Sequence, residues 1–309
     1  MLNSQAQKLI DLGKASGLLP VYLLPVAEAR SRMREAFISK EEPEKVYLVE
    51  NTFIPCPNYK IGLRIYTPSD QKKLPCIVFF HGGGWTLNDL DTHDSVCRSL
   101  ANQVNAVVVS VDYRRCPEFK FPAPIEDAYI ATEWVFANAA KLNVDSERIA
   151  VGGDSSGGTQ ATVVCMLARD RKTFKIKFQW LACPVTDYYL PGTQSYQEMA
   201  KGYSMNRDFM IWFWNNYLPI GEDVNNPYLC PLKADNFADL PPIFIMTANF
   251  DPLRDEAELY AEKLADAGVQ VRLKRYEDQM HGFLMQRKNI DTAVDAFGDA
   301  VEELKKGLA

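Results

Sequence analysis

No two of the seven cysteines stand in a CxxC spacing, and their number is odd. Neither a thiolate metal cage nor a disulfide framework is expected, and a reducing compartment fits this usage best. Basic residues are outnumbered: 34 Lys and Arg face 40 Asp and Glu, for a net charge of −6. Nucleic-acid binding relies on clustered cations that displace phosphate counterions, so this balance argues against that class of partner. No apolar run approaches the ~20 residues that span a bilayer, and stable membrane insertion is not expected. Histidine is also scarce, with only His81, His93 and His281 available to any proton relay. The stretch GLLPVYLLPVAEA (17–29) has the outline of a secretion signal, an apolar stretch followed by Ala-Glu-Ala. Two prolines interrupt it, Asp11 precedes it, and EARSRMREAF continues as an amphipathic helix, so it reads as a cytosolic segment and the chain as cytoplasmic.

What is present is material for a large core. Hydrophobic residues make up 47% of a chain of 309, enough for two average domains or one large α/β domain. Two helical patterns, SQAQKLIDLGKA and VAEARSRMREAF, lead into KVYLVENTFI and IGLRIYTP, which PCPNYK joins as an antiparallel hairpin. Six short apolar runs follow: CIVFF (76–80), AVVVSV (106–111), RIAVGG (148–153), FQWLAC (178–183), PIFIMTA (242–248) and VRLKRY (271–276). Helical patterns near 92–103, 125–141, 156–170, 253–267 and 290–306 separate them. Doubly buried strands alternating with helices imply βαβ units and a mostly parallel sheet. The stretch 184–240 breaks this rhythm, and its FMIWFWNNYL (209–218) is apolar nearly all round. Such a helix is buried or lines a cavity, and an insertion at this point suits a lid.

VGGDSSGGTQ (151–160) places GDSSG between an apolar run and a helical pattern. This is the G-x-S-x-G turn that lifts a nucleophilic serine, Ser155, above a sheet at the start of a helix. By itself the pentapeptide is a weak signal. A serine hydroxyl needs a base, and the base needs an orienting acid. In the chain order nucleophile, acid, histidine, only His281 follows Ser155. Asp251 leaves the end of PIFIMTA and is the favoured acid; Asp187, after an earlier strand, competes, and Asp255 reads as a helix cap. FFHGGGW (79–85) supplies consecutive glycines after a core strand, which lets backbone N–H groups point into a site. Gly83, Gly84 and the Ser156 amide are assigned as oxyanion donors, and His81 as a residue that holds the loop.

Together, HGGGW, YRRCPEFKFPAPIEDA (113–128), GDSSGG, DPLRDE, HGF and the early LPVAEARSRM resemble the hormone-sensitive-lipase family of α/β-hydrolase carboxylesterases over nearly the whole chain. The resemblance implies an α/β-hydrolase fold, with a mostly parallel eight-stranded sheet flanked by helices and a helical cap. It implies a cap from about 1–45 and 188–225 around a core of 46–187 and 226–309. The implied function is hydrolysis of short- to medium-chain carboxylic esters, with no cofactor or metal and a homodimer as a common state. Ser156 stands where this family usually has alanine, Asn88 where glycine is frequent and Cys116 where alanine is common. Arg114, Glu118 and Asp127 are expected to form a structural ion network. Trp85, Tyr203, Phe209, Trp212 and Phe213 are expected to line an apolar substrate pocket. Two other readings stay open at this stage: a non-catalytic receptor of the same fold, disfavoured by the presence of His281, and an amidase or aryl formamidase.

Overall fold

A computed structural model describes residues 1–309. The hairpin pairs β1 (Leu48–Pro55) with β2 (Lys60–Thr67) in antiparallel register, from Leu48 opposite Thr67 to Pro55 opposite Lys60. Six further strands follow: β3 (Leu74–Phe80), β4 (Val107–Asp112), β5 (Val144–Asp154), β6 (Phe178–Ala182), β7 (Ile243–Phe250) and β8 (Val271–Met280). They form one eight-stranded sheet in the order β1-β2-β4-β3-β5-β6-β7-β8. Only β2 runs against the other strands, pairing antiparallel with β1 on one side and β4 on the other; all remaining pairs are parallel. The central strands are continuous apolar runs because both faces of the sheet are covered; Val107 to Val111 in β4 are all buried.

The chain has nine helices, α1 (Ser4–Ala15), α2 (Val26–Phe37), α3 (Asp94–Val104), α4 (Ala123–Ala137), α5 (Ser156–Arg171), α6 (Gln194–Glu198), α7 (Arg207–Tyr217), α8 (Arg254–Asp266) and α9 (Asp291–Gly307), of which α3, α4, α5, α8 and α9 pack on the sheet. No helix is long and apolar enough to cross a membrane. Helix α5 is buried from Ser156 to Ala168, so apart from Gln160 this stretch is apolar or small all round instead of amphipathic. Asn3 caps α1, accepting the Gln5 N–H at 2.9 Å, and its own N–H donates to the Asp278 carbonyl at 2.8 Å. This first helix therefore docks beside the β8–α9 connection. Tyr22, in the turn before α2, instead meets Phe209 of α7 edge-on at 5.5 Å.

The chain order places the site. After β3 it moves to β4 on one side, then returns to lay β5 on the other side of β3. At such a switch point the loops leaving the two strands diverge, opening a crevice at their carboxyl ends. Phe80 and Gly153 are register partners at that end, so HGGGW and GDSSG emerge side by side although about 70 residues separate them.

The expected ion network forms only in part. Asp127 is fully buried and accepts from the Arg114 guanidinium at Nε and Nη2 and from the Arg114 amide at 2.8 Å. Glu118 lies outside it: it is about half exposed and pairs with Arg30 of α2 instead. Removing Asp127 would leave a largely desolvated guanidinium without its counter-charge, and such losses cost about 3–5 kcal/mol. Denaturant unfolding of Asp127→Ala is expected to show a destabilisation of that size; a change under ~1 kcal/mol would refute this role.

Candidate active site

Ser155 joins β5 to α5 with φ 53° and ψ −124°. A non-glycine residue enters this region only when its surroundings hold it there, at a cost of about 1–3 kcal/mol. The Ser155 N–H donates to the Ala182 carbonyl at 2.7 Å, and the Ser155 carbonyl accepts from Thr159 at 3.2 Å. The flanking glycines permit the turn. A Cβ at Gly153 would lie 2.3 Å from the Phe80 carbonyl oxygen, and one at Gly157 only 2.0 Å from it. Ser155 occupies the N-cap position, where serine commonly bonds its own helix, but here its hydroxyl makes no capping bond.

That hydroxyl instead lies 3.1 Å from Nε2 of His281, in the turn that follows β8. Nδ1 of the same ring lies 2.6 Å from Asp251 Oδ2, just beyond the end of β7, and Asp251 Oδ1 accepts the Leu253 N–H at 2.9 Å. Three residues distant in sequence thus meet in one line of hydrogen bonds. The competing acids are engaged elsewhere. Asp187 pairs with Lys233 at 3.0 Å and accepts from the Tyr188 amide at 2.7 Å. Asp255 pairs with Arg254 and accepts from the Ser195 amide.

The HGGGW loop lies against the same turn. The Gly82 N–H donates to Asp154 Oδ1 at 3.0 Å, and the Trp85 N–H to Ser156 Oγ at 3.1 Å. The amides of Gly83, Gly84 and Ser156 meet no acceptor within the chain. His81 is fully buried; burial and then the neighbouring His93 push its pKa down to about 3, so it stays neutral. Its Nδ1 lies 2.9 Å from the Gly82 carbonyl, and Tyr113 donates to the His81 carbonyl at 2.7 Å.

Comparisons with known proteins bear on the fold and the reaction class. The model of an alpha/beta hydrolase fold family, Abhydrolase_3, matches residues 77–285. The carboxylesterase NlhH of Mycobacterium tuberculosis is 40% identical over 290 residues, which are 92% of this chain and 90% of that protein. A Pyrobaculum calidifontis esterase structure superimposes with a TM-score of 0.93 at 37% identity, covering all of both chains. A thermostable esterase from Pseudomonas putida gives 0.95 at 35% identity, covering 100% of this chain and 98% of that one. The chain belongs to the hormone-sensitive-lipase family of α/β-hydrolase esterases.

In this esterase, burial draws the His281 pKa down, but the charge and hydrogen bond of Asp251, with Asp154 behind them, outweigh it and leave the value raised. Cys183 Sγ, Asp251 and His281 bring potential metal-ligand atoms within 4.8 Å of one another. Asp251 and His281 are committed to each other, and burial, reinforced by Asp251, keeps the Cys183 thiol protonated. Their chemistry suits a proton relay better than a metal cage.

The aromatic residues divide. Trp85 is fully buried and stacks on Tyr217 at 3.9 Å, so it is a core residue and not the pocket wall expected from the sequence. Phe213 covers the HGGGW loop so closely that a Cβ at Gly84 would fall 2.0 Å from its ring. Phe209 and Trp212 are half-buried beside Phe213, at 5.0 and 5.3 Å, and Tyr203 stacks on Phe250 at 5.8 Å. A narrow cavity at Ser155 and His281 is lined instead by Ala182, Cys183, Phe283, Leu284 and Met285. Sequence reasoning missed these residues, although several directly follow the strand ends that it located. It also missed Asp154, whose signal was a carboxylate in a turn otherwise built from small residues; it sits 3.2 Å from His93 Nε2.

The relay has a pH signature. His281 must be neutral to accept a proton, and Asp251 stabilises its charged form. With His281 as general base, activity is expected to be lost as pH falls through a value above the ordinary imidazole pKa of about 6.5. The acid limb of kcat/KM is expected above that value. Asp251→Asn removes the raising charge, so its limb should shift down while kcat falls by about 10⁴. An unmoved limb would contradict the assignment.

Proposed function

We propose that this carboxylic ester hydrolase acts on short- to medium-chain esters through a Ser155–His281–Asp251 triad and an acyl-enzyme. The observation that carries this reading is the line of hydrogen bonds from Ser155 through His281 to Asp251, at 3.1 and 2.6 Å. Ser155 attacks the ester carbonyl as His281 takes its proton, while Asp251 holds the tautomer and favours the imidazolium. The oxyanion forms against the amides of Gly83, Gly84 and Ser156, and such donors contribute on the order of 3 kcal/mol each. Ser156 also begins α5, whose N-terminal end favours negative charge. His281 then protonates the departing alkoxide. Water, activated by the same imidazole, attacks the acyl-enzyme and releases the acid and Ser155.

The segments 1–45 and 188–225 form the cap in this reading, with Phe209, Trp212 and Phe213 facing the substrate from α7. The edge-on contact of Tyr22 and Phe209, from the two segments, supports that pairing. The names of the relatives, a carboxylesterase and esterases, support the reaction class.

Ser155→Ala is expected to lower turnover of p-nitrophenyl butyrate by at least about 10⁴, with the thermal midpoint within a few degrees of wild type. Turnover that survives the substitution would end this proposal.

A further inference from the structure

The two immediate neighbours of Ser155 hold the two ends of the oxyanion loop. Asp154 accepts the Gly82 N–H at 3.0 Å, and Ser156 Oγ accepts the Trp85 N–H at 3.1 Å. Between these anchors lie Gly83 and Gly84, whose own N–H groups meet no acceptor in the chain.

The second anchor holds a demanding piece of backbone. Gly83, Gly84 and Trp85 all have positive φ, at 117°, 57° and 56°. Glycine adopts such angles readily, but a residue with an indole side chain does so only under constraint. Three contacts supply it. The indole stacks on Tyr217 at 3.9 Å, and the Trp85 carbonyl accepts the Cys116 N–H at 2.9 Å. Ser156 fixes the remaining polar group, the amide. Trp85 and Ser156 are both fully buried, so without the hydroxyl that N–H loses its acceptor where water does not reach.

We propose that the Ser156 hydroxyl is a positioning residue: by accepting the Trp85 N–H it sets the Gly83 and Gly84 amides at the distance from Ser155 that the developing oxyanion requires. Ser156 then serves the site twice, through its own N–H and through a side chain that places two other donors. Because the carbonyl oxygen is neutral in the bound ester and gains its charge only on the way to the tetrahedral intermediate, misplaced donors lower kcat more than they raise KM. The inference rests on the hydrolytic reading above.

Ser156→Ala deletes the acceptor and keeps the backbone donor. For p-nitrophenyl butyrate, kcat is expected to fall about fivefold, the effect of one hydrogen bond, with KM within about twofold of wild type. The Ki of a trifluoromethyl ketone, whose hemiketal oxygen occupies the same donors, should rise by the same factor. Ser156→Cys, with a weaker acceptor, should fall between the two. An unchanged kcat in Ser156→Ala, or a lowered kcat with unchanged Ki, overturns the inference. A wild type that turns over no ester overturns the hydrolytic reading and this inference together, whereas normal wild-type turnover with an unaffected Ser156→Ala overturns this one alone.

Discussion

Phe80 ends the central strand with its carbonyl oxygen pressed against the turn that follows β5, so closely that neither Gly153 nor Gly157 has room for a Cβ. This contact makes the rest of the site possible. It lets α5 start directly above the sheet and holds Ser155 in a backbone conformation that an isolated serine would leave. It also brings the loop after β3 alongside that serine. A methyl group at Gly157 would force two backbones apart, and both Ser155 and the HGGGW loop would move with them. The glycines of GDSSG are thus explained by packing before any chemistry is considered.

Electrostatics build on that frame. Two carboxylates, Asp251 and Asp154, lie behind the site, and both favour a positive charge on His281. They are not equivalent. Asp251 contacts the ring directly, whereas Asp154 spends its hydrogen bond on the Gly82 amide and faces His93. Asp154 itself keeps a lowered pKa: burial opposes its charge, but His93 and the Gly82 amide outweigh the penalty. One acid orients the base, and the other secures the loop opposite. Placing both within a buried pocket costs desolvation, and the hydrogen bonds that each accepts offset it.

Much of this was legible in the sequence, for physical reasons. The central strands, buried on both faces, appear as uninterrupted apolar runs, whereas the largely exposed edge strands β1 and β8 were read from β-rich patterns of mixed polarity. The histidine of the relay was found by elimination, since only His281 follows Ser155. Asp251 stood out because it follows the apolar run PIFIMTA by three residues; β7 itself runs on to Phe250, so Asp251 is the first residue beyond the strand end. What could not be read was decided by packing between distant segments. Trp85 follows a glycine loop at the site and looks like a pocket wall, yet its stack on Tyr217 of α7 draws it into the core. Glu118 sits two residues from Cys116 in a charged motif, but α2 supplies Arg30 to take it away from Arg114. The residues around the cavity at Ser155 come from two strand ends and the turn after β8, a combination that no local pattern marks. The Ser156 hydroxyl was invisible for the same reason, as its acceptor role depends on an amide 71 residues away.

The central claim is that the fold makes one serine hydroxyl nucleophilic by aligning it with His281. Covalent labelling with a fluorophosphonate, read by intact mass and peptide mapping, tests this most directly. The account predicts a single adduct per chain, located on Ser155, and labelling slowed by orders of magnitude in His281→Ala. No adduct, an adduct on a different residue, or equal labelling of wild type and His281→Ala would contradict it.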